Sequence, residues 1–109
     1  MPRVLLDENV PRGVLAAFPA GEATSVDLLG WKAIRNGELL RRAEAEGFAV
    51  LVTADRGIHR QNRMDRRGLA LVVLPGNSWP RLRGRLAEIV AAAASAGPGT
   101  VVELDRAGD

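Results

Sequence analysis

Val4-Leu5-Leu6-Asp7-Glu8-Asn9-Val10-Pro11 decides the fold. Three apolar residues run without alternation and give way at once to two acids and an amide. A continuous apolar run suits a strand covered on both faces, and such strands belong to parallel sheets. Pro11 then suits the first turn of a helix carrying Val14, Leu15 and Phe18. Strand, polar turn and helix together form the opening unit of an α/β domain.

The same unit recurs outward from it. Phe48-Ala49-Val50-Leu51-Val52-Thr53, Leu69-Ala70-Leu71-Val72-Val73-Leu74 and Thr100-Val101-Val102-Glu103-Leu104 are also continuous, and read as strands buried on both faces. Ala23-Thr24-Ser25-Val26 is weaker and suits a sheet edge. Asn36 reads as the N-cap of a helix bearing Leu39, Leu40 and Ala43. Pro80 opens a helix with Leu82, Leu86, Ile89, Val90 and Ala93 on one face, stopped by Gly97-Pro98. Residues 56–67 are polar and arginine-rich, and read as a short helix or a loop. Strands alternating with helices predict a three-layer α/β/α sandwich around a central, mainly parallel sheet of about five strands. Residues 1–105 read as a single domain, with 106–109 a frayed tail.

Composition narrows the chemistry. The 109 residues are 47% hydrophobic and 26% charged, which is globular and enough to bury a core. No cysteine is present, which excludes disulfides, thiolate metal sites and cysteine nucleophiles. The single histidine, His59, excludes a two-histidine metal motif and argues against a histidine-based triad. A pI near 10.4 stands beside a net charge of only +2 because tyrosine and cysteine are absent and Lys32 is the one lysine. The pI reports missing buffers, so it does not by itself point to nucleic acid. No apolar run is long enough for a signal peptide or a membrane span, so no membrane is expected and a cytoplasmic location is.

In doubly wound sheets the working site lies at the carboxyl ends of the strands. The first strand ends in Asp7-Glu8-Asn9 and the central strand in Thr53-Ala54-Asp55, so both aspartates should emerge at one edge. Glu38, in the first turn of its helix, should open on the same side. Each acid also has a bland reading: Asp7 as a turn or helix-cap residue, Glu38 as a favourable charge on its helix dipole. Carboxylates aimed at one point repel unless a cation sits among them. With oxygen ligands alone, that cation would be hard, Mg²⁺ or Mn²⁺, and its bound water could serve phosphodiester hydrolysis.

The opening block, with Asn36-Gly37-Glu38-Leu39-Leu40 and Val50-Leu51-Val52-Thr53-Ala54-Asp55 in that order, resembles the small bacterial PIN-like proteins, relatives of the VapC-type ribonucleases. The resemblance runs over most of the chain. It implies a metal-dependent endoribonuclease fold, often the toxin of a toxin–antitoxin pair. It also implies Asp7, Glu38 and Asp55 as metal-binding and catalytic acids, with Glu8, Asn9, Asn36 and Thr53 in support. RNA, an antitoxin protein and a second copy in a homodimer are the partners expected. The chain departs from the pattern at Asn36, where relatives usually carry an acid, and at Gly57-Ile58, where many carry a further one.

Charge is divided along the chain. Residues 1–55 hold six basic and eight acidic groups, whereas 56–109 hold nine basic and five acidic. Arg56, Arg60, Arg63, Arg66 and Arg67 crowd one short segment with His59. Because that segment starts right after Asp55, it is expected to rim the acidic site and hold RNA phosphates; its bland alternatives are a solvated loop or a dock for an acidic partner. Trp31 and Trp79 could stack on bases, but a helix-entry staple or a partner contact is the commoner role of a tryptophan so placed. Arg81 and Arg85, one helical turn apart, are expected on the solvated surface.

Other α/β readings fail on single residues. A phosphate-transferring receiver needs a lysine after its last strand, and Lys32 is misplaced. A haloacid-dehalogenase-type hydrolase needs D-x-D where Asp7-Glu8-Asn9 stands. No phosphate-binding P-loop is present. The rival from another class is a PIN-like module that binds RNA or protein without cutting.

Overall fold

Runs that cannot satisfy their backbone alone pair side by side. The structure, a computed structural model, describes residues 2–105; the expected frayed tail at 106–109 lies outside the described residues. Five strands, β1 (Val4–Leu6), β2 (Ala23–Ser25), β3 (Val50–Thr53), β4 (Ala70–Val73) and β5 (Val101–Glu103), form one sheet in the order β2-β1-β3-β4-β5. Every pairing is parallel. The expected α/β sandwich is therefore what the chain forms.

Successive side chains of a strand point to opposite faces, and the two halves of the core sort accordingly. Val4, Leu6, Val50, Val52, Ala70 and Val72 face α1 (Arg12–Ala16) and the C-terminal helices, meeting Val14, Phe18, Leu82, Ile89 and Ala93. Leu5, Leu51, Leu71 and Val73 face α2 (Val26–Leu29), α3 (Asn36–Ala45) and α4 (Ile58–Gln61), meeting Val26, Leu39, Leu40, Ala43 and Ile58. Leu5, Leu51 and Leu71 are wholly buried. Truncating any of them to alanine should cost about 2–5 kcal/mol.

Four local readings are corrected. Thr100–Leu104 does form a strand, but as β5 at the sheet edge, with Val101 and Val102 half-buried and Glu103 exposed. Val26 is not part of β2, which stops at Ser25, but starts α2, because the Ser25 hydroxyl accepts the Leu28 N–H at 3.2 Å and caps a helix there. Asn36 is the first residue of α3; Arg35 takes the N-cap position, and the Asn36 amide is used elsewhere. The helix from Pro80 is not continuous: α5 (Trp79–Leu82), a 3₁₀ turn over Arg83–Arg85 and α6 (Leu86–Ser95) follow one another. Gly84 lies in that turn, and glycine weakens a helix interior.

Candidate active site

The strand order reverses between β1 and β3: from β1 the chain crosses to β2 on one side, then returns to β3 on the other. The crevice at such a switch point is where doubly wound folds bind ligands. Asp7 stands one residue beyond β1, with its N–H bonded to the Val52 carbonyl at 2.9 Å, so the ladder delivers it directly to that crevice. Thr53 closes β3, and Asp55 follows two residues later.

Thr53 organises the acids. Its fully buried hydroxyl donates to Asp7 Oδ2 at 2.7 Å and accepts the Asp55 N–H at 3.1 Å. Asn9 joins the same strand ends, accepting the Ala54 N–H at 3.0 Å and reaching Thr53 Oγ1 at 3.5 Å. Asp7 Oδ1 accepts the Glu8 N–H at 2.8 Å. Asp55 takes the Gly57 N–H on Oδ1 at 2.9 Å and the Asn36 amide on Oδ2 at 2.8 Å. Asp7 is thus a buried carboxylate bonded across the sheet, and the helix-cap reading fails because α1 begins only at Arg12.

Burial raises the Asp7 pKa above its ordinary value. The Thr53 and Glu8 hydrogen bonds pull it down, and the negative charges of Glu8 and Asp55 push it up again. A carboxylate only 7% exposed, facing two further acids, marks a place of concentrated negative potential. A cleft of about 220 Å³ opens beside it, between the start of α1 and α2, walled by Leu6, Val10, Leu15 and Leu28. A larger cleft of about 260 Å³ lies past β4 at Pro75–Ser78, away from the acids.

Glu38 is not gathered into this group. Its side chain is 55% exposed and bonds Arg41 at 2.8 Å, one turn along α3. Among the described residues, no three of the histidine, aspartate and glutamate side chains are grouped to hold a metal ion. Asn36 is the α3 residue that reaches the site. The donors present suit a hard cation held by two carboxylates, since magnesium commonly binds through one or two with water or phosphate completing its shell. A carboxylate offers about four lone-pair sites. The two hydrogen bonds on each aspartate fix its direction and leave it accepting capacity.

Glu8 turns outward and accepts the Ala33 N–H at 2.9 Å. Ala33 has a left-handed backbone, φ 65°, so Glu8 holds a strained loop that leads directly to Asn36.

The basic segment divides in two. Arg56 and His59 remain at the carboxyl edge and converge on Glu103 of β5. Arg60 is exposed on α4. From Arg63 onward the chain has returned to the opposite edge: the Met64 and Asp65 carbonyls lie against Gly99, ahead of β5, and Arg67 bonds Glu44 at the end of α3. Arg63 pairs with Asp65 at 2.9 Å, Arg67 is half-buried and Arg66 is exposed. A parallel crossover must carry the chain back along the sheet, so only the first residues after Asp55 can rim the site. Arg63, Arg66 and Arg67 do not.

Both tryptophans pack. Trp31 meets Phe48 edge-on, with ring centroids 6.2 Å apart, and carries the Arg42 guanidinium 4.9 Å above it. Trp79 lies over Gly13, where any Cβ would overlap the indole ring. Arg81 is exposed, whereas Arg85 is half-buried and clamps Glu88 at 2.7 and 2.9 Å and the Asp105 carbonyl at 2.7 Å. Glu103 was missing from the residues singled out by sequence, although its place at the end of a parallel strand was a usable signal.

Neither a family model, a curated protein nor a solved structure matches the chain. No described helix is long and apolar enough to cross a membrane.

Proposed function

We propose that this chain is a PIN-like, metal-dependent endoribonuclease working with two carboxylates, Asp7 and Asp55. The observation that carries the reading is the buried Asp7 carboxylate, bonded to Thr53 at 2.7 Å at the switch point beside Asp55. Mg²⁺ or Mn²⁺ bound there would supply positive charge to a phosphodiester and lower the pKa of an attacking water. Thr53 and the Glu8 N–H hold Asp7 in one orientation. Asn36 and the Gly57 N–H do the same for Asp55, and Asn9 locks the two strand ends together. Glu38, tied to Arg41, serves α3 rather than the reacting groups in this proposal.

A toxin's role beside an antitoxin protein, or in a homodimer, extends the same proposal. The test is cleavage of single-stranded RNA in Mg²⁺ or Mn²⁺. Asp55→Asn should lower the rate by at least about 100-fold while the melting temperature holds. An Asp55→Asn protein that cleaves like the wild type defeats the reading.

A second reading is favoured by the engagement of Glu38 with Arg41 and by the amide at Asn36. It is a PIN-like module that binds RNA or a protein without cutting. RNA binding by wild-type protein with no cleavage in either metal would select it.

A further inference from the structure

The end of β5 carries a feature that neither carboxylate of the proposed site uses. Glu103 Oε1 lies 3.0 Å from His59 Nε2, and Oε2 lies 3.5 Å from Arg56 Nη2. Among the described residues, Arg56 Nη1 and His59 Nδ1 of the same two side chains are buried without a hydrogen-bond partner. Buried polar nitrogens are normally satisfied, so this arrangement is incomplete as a purely structural contact. One carboxylate spans two cationic or hydrogen-bonding groups and satisfies each only on one side.

Position gives the cluster its meaning. Thr53, Val73 and Glu103 are in register across β3, β4 and β5. With strands about 4.8 Å apart, Glu103 stands about 10 Å along the carboxyl edge from Thr53, which organises the acids. Arg56 follows Asp55 directly in sequence, so the cluster adjoins the acid pair. An arginine fork matches the oxygens of a phosphate, which offers more acceptors than a carboxylate.

We infer that Arg56 and His59 form a phosphate cradle for the RNA backbone next to the acid pair, and that Glu103 holds the cradle closed until a phosphate displaces it. The ligand chemistry rests on the ribonuclease reading. The closed contact itself does not. Glu103 can leave readily because its side chain is already 37% exposed on an edge strand. Its negative charge is a built-in competitor for the same two partners. Of the other arginines of the segment, Arg63 and Arg67 pair elsewhere and Arg66 lies at the far edge, while Arg60 is exposed on α4 and is not bonded to Glu103. The Glu103-dependent part of RNA binding should therefore rest on Arg56 and His59.

The test is binding of a fluorescein-labelled single-stranded RNA oligonucleotide in EDTA, where cleavage plays no part. Glu103→Gln should bind about tenfold more tightly than wild type, as expected when about one unit of like-charge repulsion is removed. Adding Arg56→Gln should abolish that gain. Unchanged or weaker binding by a folded Glu103→Gln protein overturns the cradle. Competition by polyglutamate as strong as by unlabelled RNA overturns it too, in favour of an acidic protein partner. If Glu103→Gln does not fold, wild-type protein decides: saturating oligonucleotide must shift the imidazole resonances of His59, the one histidine of the chain, and unshifted resonances sink the idea. Tight, Glu103-dependent binding without cleavage in metal would leave the cradle standing and remove the nuclease. Cleavage with no effect of Glu103→Gln would do the reverse.

Discussion

Asp7 is stabilised in its place by the sheet and destabilised by its charge. Burial and the neighbouring Glu8 and Asp55 charges raise its pKa above the ordinary 3.8, against the opposing pull of Thr53 and the Glu8 N–H. Between 3.8 and the raised folded value, the folded chain binds more protons than the unfolded chain. Stability therefore falls as pH rises through that window and stays lowered above it. Asp7→Asn removes the charge while keeping an acceptor for the Glu8 N–H and a group to bond Thr53. The variant should melt higher than wild type at pH 7, with the gain gone by about pH 3. Thermal melts across that range check it, and equal melting temperatures at pH 7 would mean that the carboxylate is adequately solvated. A residue that weakens the fold at the switch point of the sheet fits, on the proposed function, the usual exchange of stability for function. The placement of Asp7 and Asp55 at one edge was legible because a parallel strand delivers the residues after it to the carboxyl edge of the sheet. Asn36 has the local setting of a cap, because nothing in the sequence distinguishes an amide that bonds its own helix from one that reaches 2.8 Å to Asp55.

At the scale of elements, the loop between α2 and α3 is held by an unusual contact. Ala33 adopts φ 65°, a conformation costing a residue with a Cβ about 1–2 kcal/mol, and its N–H is fixed by Glu8. Ala33→Gly should relieve that strain. Against it stands the entropy a glycine adds to the unfolded chain, about 0.4–1 kcal/mol, so the net gain should be about 0.5–1 kcal/mol by urea denaturation. Destabilisation would show that the Ala33 methyl contributes packing beyond the strain. No sequence pattern marks such a position, since alanine is not a turn residue. The basic segment failed for a different reason. Its charge was plain, but its direction depended on how soon the crossover turns back toward β4. The helix from Pro80 failed because its apolar face stays in phase: Leu82, Ile89 and Ala93 are all buried although the helix breaks between the first two.

At the scale of the whole molecule, Asp7, Glu8 and Asp55 come together at the switch point of the sheet, and a cation held there would couple to global stability. The central strands are covered on both faces, so the Asp7–Thr53 contact sits on a rigid platform while Glu103 and Glu38 lie at exposed positions around it. A cation that binds the folded arrangement and not the unfolded chain must raise the melting temperature by mass action. At ten times its dissociation constant the stabilisation is about 1.4 kcal/mol, worth several degrees in a domain of this size. Titrating Mg²⁺ or Mn²⁺ into wild-type protein should give that rise. Asp55→Asn should lose it almost entirely, and Asp7→Asn should lose it too even though it starts from a higher melting temperature. Glu38→Gln should keep it, because the Glu38 carboxylate is spent on Arg41 rather than on the crevice. That contrast separates a two-carboxylate site from a three-carboxylate one: a Glu38→Gln protein that no longer responds to metal would mean that Glu38 swings off Arg41 and joins Asp7 and Asp55 when the cation arrives.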